Sequence, residues 1–135
     1  MYKRQGGSAD RVSQILNRCD ITVLSGDDSL TLPMMVLGAT GVISVASNII
    51  PAQVQQLTDL AGGGDFLAAR ELHYHLYSFF NDIFVETNPI PIKAAMAMAG
   101  LIREEYRLPM CPIGAQSRAL LRASMQAIGI DCVRD

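Results

Sequence analysis

Tryptophan is absent, lysine occurs only twice (Lys3 and Lys93), and like charges never run beyond pairs such as Asp27-Asp28 or Glu104-Glu105. A formal net charge of -2 distributed in this way leaves no basic footprint for nucleic acid and no polybasic patch for a membrane surface. Cysteine is scarce as well. Cys19, Cys111 and Cys132 are an odd number, far apart, without a C-x-x-C pair. Neither a disulfide framework nor a zinc site follows, so a reducing, cytoplasmic setting is expected. The apolar stretch at residues 94–99 falls far short of a membrane span. No charged segment followed by an apolar one marks a signal peptide. Apolar residues are plentiful, at 50% of 135, enough for one domain with a real core. A soluble domain with small-molecule or protein partners is the class that survives these exclusions.

Val12, Ile15, Leu16 and Cys19 fall at helical spacing, with Ser8 or Asp10 available as a cap. Residues 21–25 form a short β-branched run stopped by Gly26-Asp27-Asp28, the pattern of a buried strand ending in a turn. Residues 29–37 fit a short helix closed by Gly38, and residues 41–46 a second strand, apolar apart from Ser44. Pro51 opens a helix with Val54, Leu57 and Leu60 along one side, ended by Gly62-Gly63-Gly64. The longest helix is expected at 65–86, broken by Asn88-Pro89-Ile90-Pro91. Further helices are expected at 92–99 and 115–128, either side of an extended loop at 108–112. Strands that alternate with helices and are apolar on both faces imply a parallel sheet covered by helices. Two strands cannot complete such a sheet, so each needs a further neighbour.

Gly26-Asp27-Asp28 follows a buried strand, where α/β proteins build their sites. It reads equally as a ligand-approaching rim, with Gly26 admitting close backbone contact, or as a tight turn in which Asp28 or Ser29 caps the next helix. His73 and His75 are two apart, point to nearly opposite sides of a helix, and cannot share a metal. One is expected to be partly buried and the other at the surface. Gly62-Gly63-Gly64 lacks the Lys-Ser/Thr of a phosphate loop. Imine chemistry needs a lysine in a desolvated pocket. Residue chemistry alone nominates neither lysine. Lys93 lies in the first turn of a helix and suits a solvated surface role, and Lys3 lies near a chain end.

Four segments taken together are more specific. They are Leu24-Ser25-Gly26-Asp27-Asp28, Gly41-Val42-Ile43-Ser44-Val45, residues 84–93 (Phe-Val-Glu-Thr-Asn-Pro-Ile-Pro-Ile-Lys) and Arg107-Leu108-Pro109-Met110-Cys111-Pro112. In this order the chain resembles the dihydrodipicolinate synthase family, within the group that includes N-acetylneuraminate lyase, from about Gly6 to Ile128. The resemblance implies the C-terminal portion of a (β/α)8 TIM barrel, its seventh and eighth strands followed by helices. Residues 1–62 would be the end of the barrel and 65–135 a C-terminal helical region. It further implies a cofactor-free, metal-independent lyase that joins pyruvate to aspartate semialdehyde, in a parent that is a homotetramer. The backbone at Ile43 matches the family's pyruvate contact, and Gly26 lies on the same rim. Lys3 falls in the register of the family's imine lysine, although Arg4-Gln5 stand where relatives carry Glu-Ala. The apolar strand that should precede that lysine is missing from the sequence. The family's proton relay and second-substrate arginine have no counterpart here, so the chain is expected to be inactive alone. The alternative is a non-catalytic half-barrel that is stable only when paired with another chain.

Overall fold

The computed structural model describes residues 2–4, by their backbone, and residues 8–133. They form two compact units that divide between Tyr74 and His75.

In the first unit, strand β1 (Tyr2–Arg4) runs parallel to strand β2 (Val23–Ser25), with Lys3 opposite Leu24 and Arg4 opposite Ser25. On the other side of β2, Ser25 forms a single parallel bridge with Val42. Two expectations are corrected here. A strand does occupy residues 2–4, where none was read, because the neighbouring ladder supplies the pairing that a three-residue polar segment cannot signal by itself. The second expected strand, 41–46, shrinks to the bridge at Val42 and then coils into a 3-10 turn, Ala46–Asn48.

Helix α1 (Asp10–Leu16) buries Val12, which packs with Val23, Met34 and Ala39. Cys19 lies beyond the helix and is exposed, and neither Ser8 nor Asp10 caps it: Ala9 holds the cap position with no side-chain bond. A 3-10 turn (Asp28–Leu30) leads into α2 (Thr31–Val36). Gly38 closes it with φ +104°. A Cβ at Gly38 would meet Leu16 Cδ1 at 2.8 Å, the end of a side chain that can move aside, so it is the left-handed backbone that disfavours a side chain there. Gly38→Ala is expected to cost about 1–3 kcal/mol, read as a lower urea midpoint of the helical signal; an unchanged midpoint would contradict it. Helix α3 (Pro51–Gly62) has proline in its first turn and buries Val54, Leu57 and Ala61. The Asp65 carboxylate then accepts the Ala68 N–H at 3.1 Å and starts α4 (Phe66–Asp82).

In the second unit, α5 (Ile90–Met98) buries residues almost all round, including Ile92, Ala94, Ala95 and Met98. It begins two residues earlier than expected because Pro91 sits in the first turn, where a missing N–H costs nothing. Helix α6 (Ala115–Ala127) buries Leu121, Ser124 and Met125, and Gly129 follows at φ +79°. No helix among the described residues is long and apolar enough to cross a membrane.

Candidate functional site

The end of β2 is held by its own side chains. Ser25 is fully buried; its hydroxyl donates to the Asp27 carbonyl at 2.8 Å and accepts the Asp27 N–H at 3.2 Å. This closes a small turn around Gly26, which is also buried. The Ser25 backbone reaches the next segment in both directions. Its N–H donates to the Gly41 carbonyl, and the Ile43 N–H donates to its carbonyl, each at 2.9 Å. Gly26 and Ile43 are therefore neighbours at one end of the ladder. Lys3 lies on the adjoining strand, level with Leu24 and two residues short of Gly26. Its side chain lies outside the described residues, as do Gly6 and Gly7 of the same register.

Asp28 departs from expectation. It was a candidate cap for the next helix, yet it makes no cap bond there. Its carboxylate, 1% exposed, points to the neighbouring segment. One oxygen accepts the Ser44 hydroxyl; the other accepts the Val45 N–H at 3.1 Å and the Ala46 N–H at 3.3 Å. Ser44 is fixed in turn by the Ser47 N–H, which donates to its hydroxyl at 2.8 Å. Burial pushes the Asp28 carboxyl above the usual carboxylate range, and the Asp27 charge adds to this, while Ser44 and the two amides pull it back. These bonds also explain the missing strand. Val45 and Ala46 give their amides to a carboxylate and the chain turns there. The signal that could have revealed it was the lone polar residue of residues 41–46, Ser44, facing an acid sixteen positions earlier.

In the second unit, Lys93 is partly exposed and also engaged by neighbours that its expected surface role did not include. Its Nζ donates to the Glu105 carbonyl and lies 5.4 Å from the centre of the Tyr106 ring. Glu104 pairs with Arg118 and accepts the Tyr106 hydroxyl at 2.9 Å. The Arg118 hydrogen bond holds the Glu104 carboxyl below its usual range, and burial with the Glu104 bond raises the Tyr106 hydroxyl well above its own. These contacts pin the loop before α6 to α5 and carry no reactive group. His73 is buried and His75 exposed, as their spacing implied; burial lowers the His73 pKa. No three His, Cys, Asp or Glu side chains gather among the described residues.

A profile of the Dihydrodipicolinate synthetase family matches residues 2–128. The chain is 48% identical over 121 residues to the 4-hydroxy-tetrahydrodipicolinate synthase of Hydrogenobaculum sp. (strain Y04AAS1), covering 89% of this chain and 42% of that protein. It is 49% identical over 122 residues to the synthase of Aquifex aeolicus (strain VF5), covering 89% of this chain and 42% of that protein. Among solved structures, the dihydrodipicolinate synthase from Aquifex aeolicus superimposes with a TM-score of 0.94 at 45% identity, over 98% of this chain and 46% of that one. A structure described as the first monomeric dihydrodipicolinate synthase variant gives 0.89 at 35% identity, over 95% of this chain and 44% of that one. This chain thus spans less than half the length of the relatives it matches. Its fold is the C-terminal portion of a (β/α)8 barrel followed by helices.

Proposed function

Because the chain belongs to the dihydrodipicolinate synthetase family, we propose that it supplies the C-terminal part of a pyruvate-dependent lyase. That enzyme condenses pyruvate with aspartate semialdehyde to 4-hydroxy-tetrahydrodipicolinate, towards diaminopimelate and lysine. In this reading Lys3 forms the imine with pyruvate, and backbone groups at Gly26 and Ile43 hold the substrate; the chemistry needs no cofactor and no metal. The observation that carries it is the ladder Lys3, Leu24 and the Ser25–Val42 bridge, which sets all three positions on adjoining segments at one end of a parallel sheet in a chain of this family. Strand ends are where barrel enzymes gather their reacting groups. A cytoplasmic setting agrees with three free cysteines.

The 135 residues do not suffice for turnover, because the relay and the arginine of the second substrate belong to a part of the relatives that this chain does not match. A second reading rests on the sheet: among the described residues β1 pairs on one side only. On that reading the chain is a half-barrel stabilised by pairing with another chain, without catalysis of its own. Fusing residues 2–133 behind the unmatched N-terminal portion of the Aquifex aeolicus relative separates the two. The completed chain is expected to condense pyruvate with aspartate semialdehyde, and Lys3→Arg to fall to background. A soluble, folded fusion without turnover overturns the lyase reading; turnover indifferent to Lys3→Arg overturns the imine assignment.

A further inference from the structure

Three donors converge on the Asp28 carboxylate: the Ser44 hydroxyl and the Val45 and Ala46 amides. Towards the two amides a group in that place must accept, and an ionised carboxylate does so with one oxygen while the other takes the hydroxyl proton. Asparagine keeps one oxygen for the two amides and can turn its N–H bonds to the Ser44 hydroxyl, whereas alanine offers no acceptor to any of the three. The side chain is also closed to solvent, so it cannot touch a substrate arriving at the rim. Its bonds leave its own helix and cross 16 to 18 positions to the segment directly after Ile43. On the other flank, the Ile43 N–H is tied to the Ser25 carbonyl. Ile43 itself is 41% exposed. The segment is thus clamped at both ends around one accessible residue.

We propose that Asp28 is a positioning residue, whose buried carboxylate fixes the backbone of residues 43–46 and thereby aims the Ile43 backbone at the carboxylate end of a bound 2-oxo acid. The second half of this statement rests on the assignment of Ile43 to pyruvate given above. The first half stands on the three hydrogen bonds alone. Ser44 is the intermediary on one oxygen, and its own hydroxyl is oriented by the Ser47 N–H. Ser44→Ala should therefore loosen the same segment in the same sense, but less.

Two measurements test the proposal. In the 135-residue chain, Asp28→Ala is expected to speed hydrogen exchange at the Val45 and Ala46 amides by about tenfold or more, with the amides of α6 unchanged. In the completed enzyme, the same substitution is expected to raise the pyruvate KM about tenfold while kcat changes less than about threefold. The KM for the semialdehyde should hold, a split that general destabilisation does not produce. Unchanged exchange at Val45 and Ala46 overturns the positioning role whatever the activity. Faster exchange with an unchanged pyruvate KM overturns its link to substrate. If α6 amides also accelerate, Asp28→Ala has loosened the whole chain, and Ser44→Ala decides by the same two readouts. A wild-type completed chain inert to pyruvate removes the substrate half together with the lyase reading, and the exchange result still decides the structural half.

Discussion

Treated with pyruvate and borohydride, the 135-residue chain is expected to gain no selective adduct at Lys3. Mixed with pyruvate and aspartate semialdehyde, it should give no condensation above background. A free lysine amine with a pKa of about 10.4 is neutral at pH 7 in fewer than about one molecule in a thousand. Imine formation at a useful rate requires that pKa to fall through burial or a neighbouring positive charge. Among the described residues, β1 has a partner on the β2 side only, so the wall on its other side is not supplied. Lys93 is the internal control, since its Nζ is engaged by the Glu105 carbonyl and the Tyr106 ring. Mass spectrometry of the digested, reduced protein reads both positions at once. A stoichiometric pyruvyl adduct at Lys3 and none at Lys93 would show that the chain builds a working pocket unaided, and would end the inactive-alone reading.

Purified by itself, the chain is expected to self-associate, with a light-scattering mass of at least about two chains at micromolar concentration. Two features of the first unit drive this. The sheet leaves backbone donors and acceptors of a strand edge unpaired among the described residues. In the same unit Val36 and Leu37 stand exposed, with Tyr74 at 69% exposure, along a groove also lined by Leu32, Pro33 and Arg70. Contiguous apolar surface of this kind draws copies together. Leu37→Glu should shift the population to smaller species without loss of helical signal. A monomer that melts in one sharp cooperative step would contradict the expectation.

The helices were legible because their signals are local. Pro51 with Val54 and Leu57, and the closing glycines at 38, 64 and 129, mark ends and faces within a few residues, and the structure follows them. The strand at 21–25 was legible for the same reason, although only Val23–Ser25 is ladder. What escaped were features that depend on a partner. Tyr2–Arg4 has no apolar alternation and is a strand only because β2 is beside it. Residues 41–46 carry a strand pattern, yet an acid from another segment takes the Val45 and Ala46 amides. In the candidate site, Gly26 was visible as a glycine at a strand end, and Asp28 was visible as an acid. Its actual partners were not, since a helix cap and a cross-segment clamp begin from the same residue type. Lys93 escaped likewise, because its Glu105 and Tyr106 contacts come from a loop twelve and thirteen positions away.

The clamp at Asp28 also bears on the order in which this rim can assemble. Its three bonds close loops of 16, 17 and 18 positions. The entropy of closing a loop grows only with the logarithm of its length, and loops this short close quickly. The two strand ends can therefore find each other using helix α2 alone as the intervening chain, as early in synthesis as Ala46 is free to move. Docking of β1 has no part in that step. The shape of the rim at the end of β2 thus depends on a short stretch of chain, and a barrel could be completed around it.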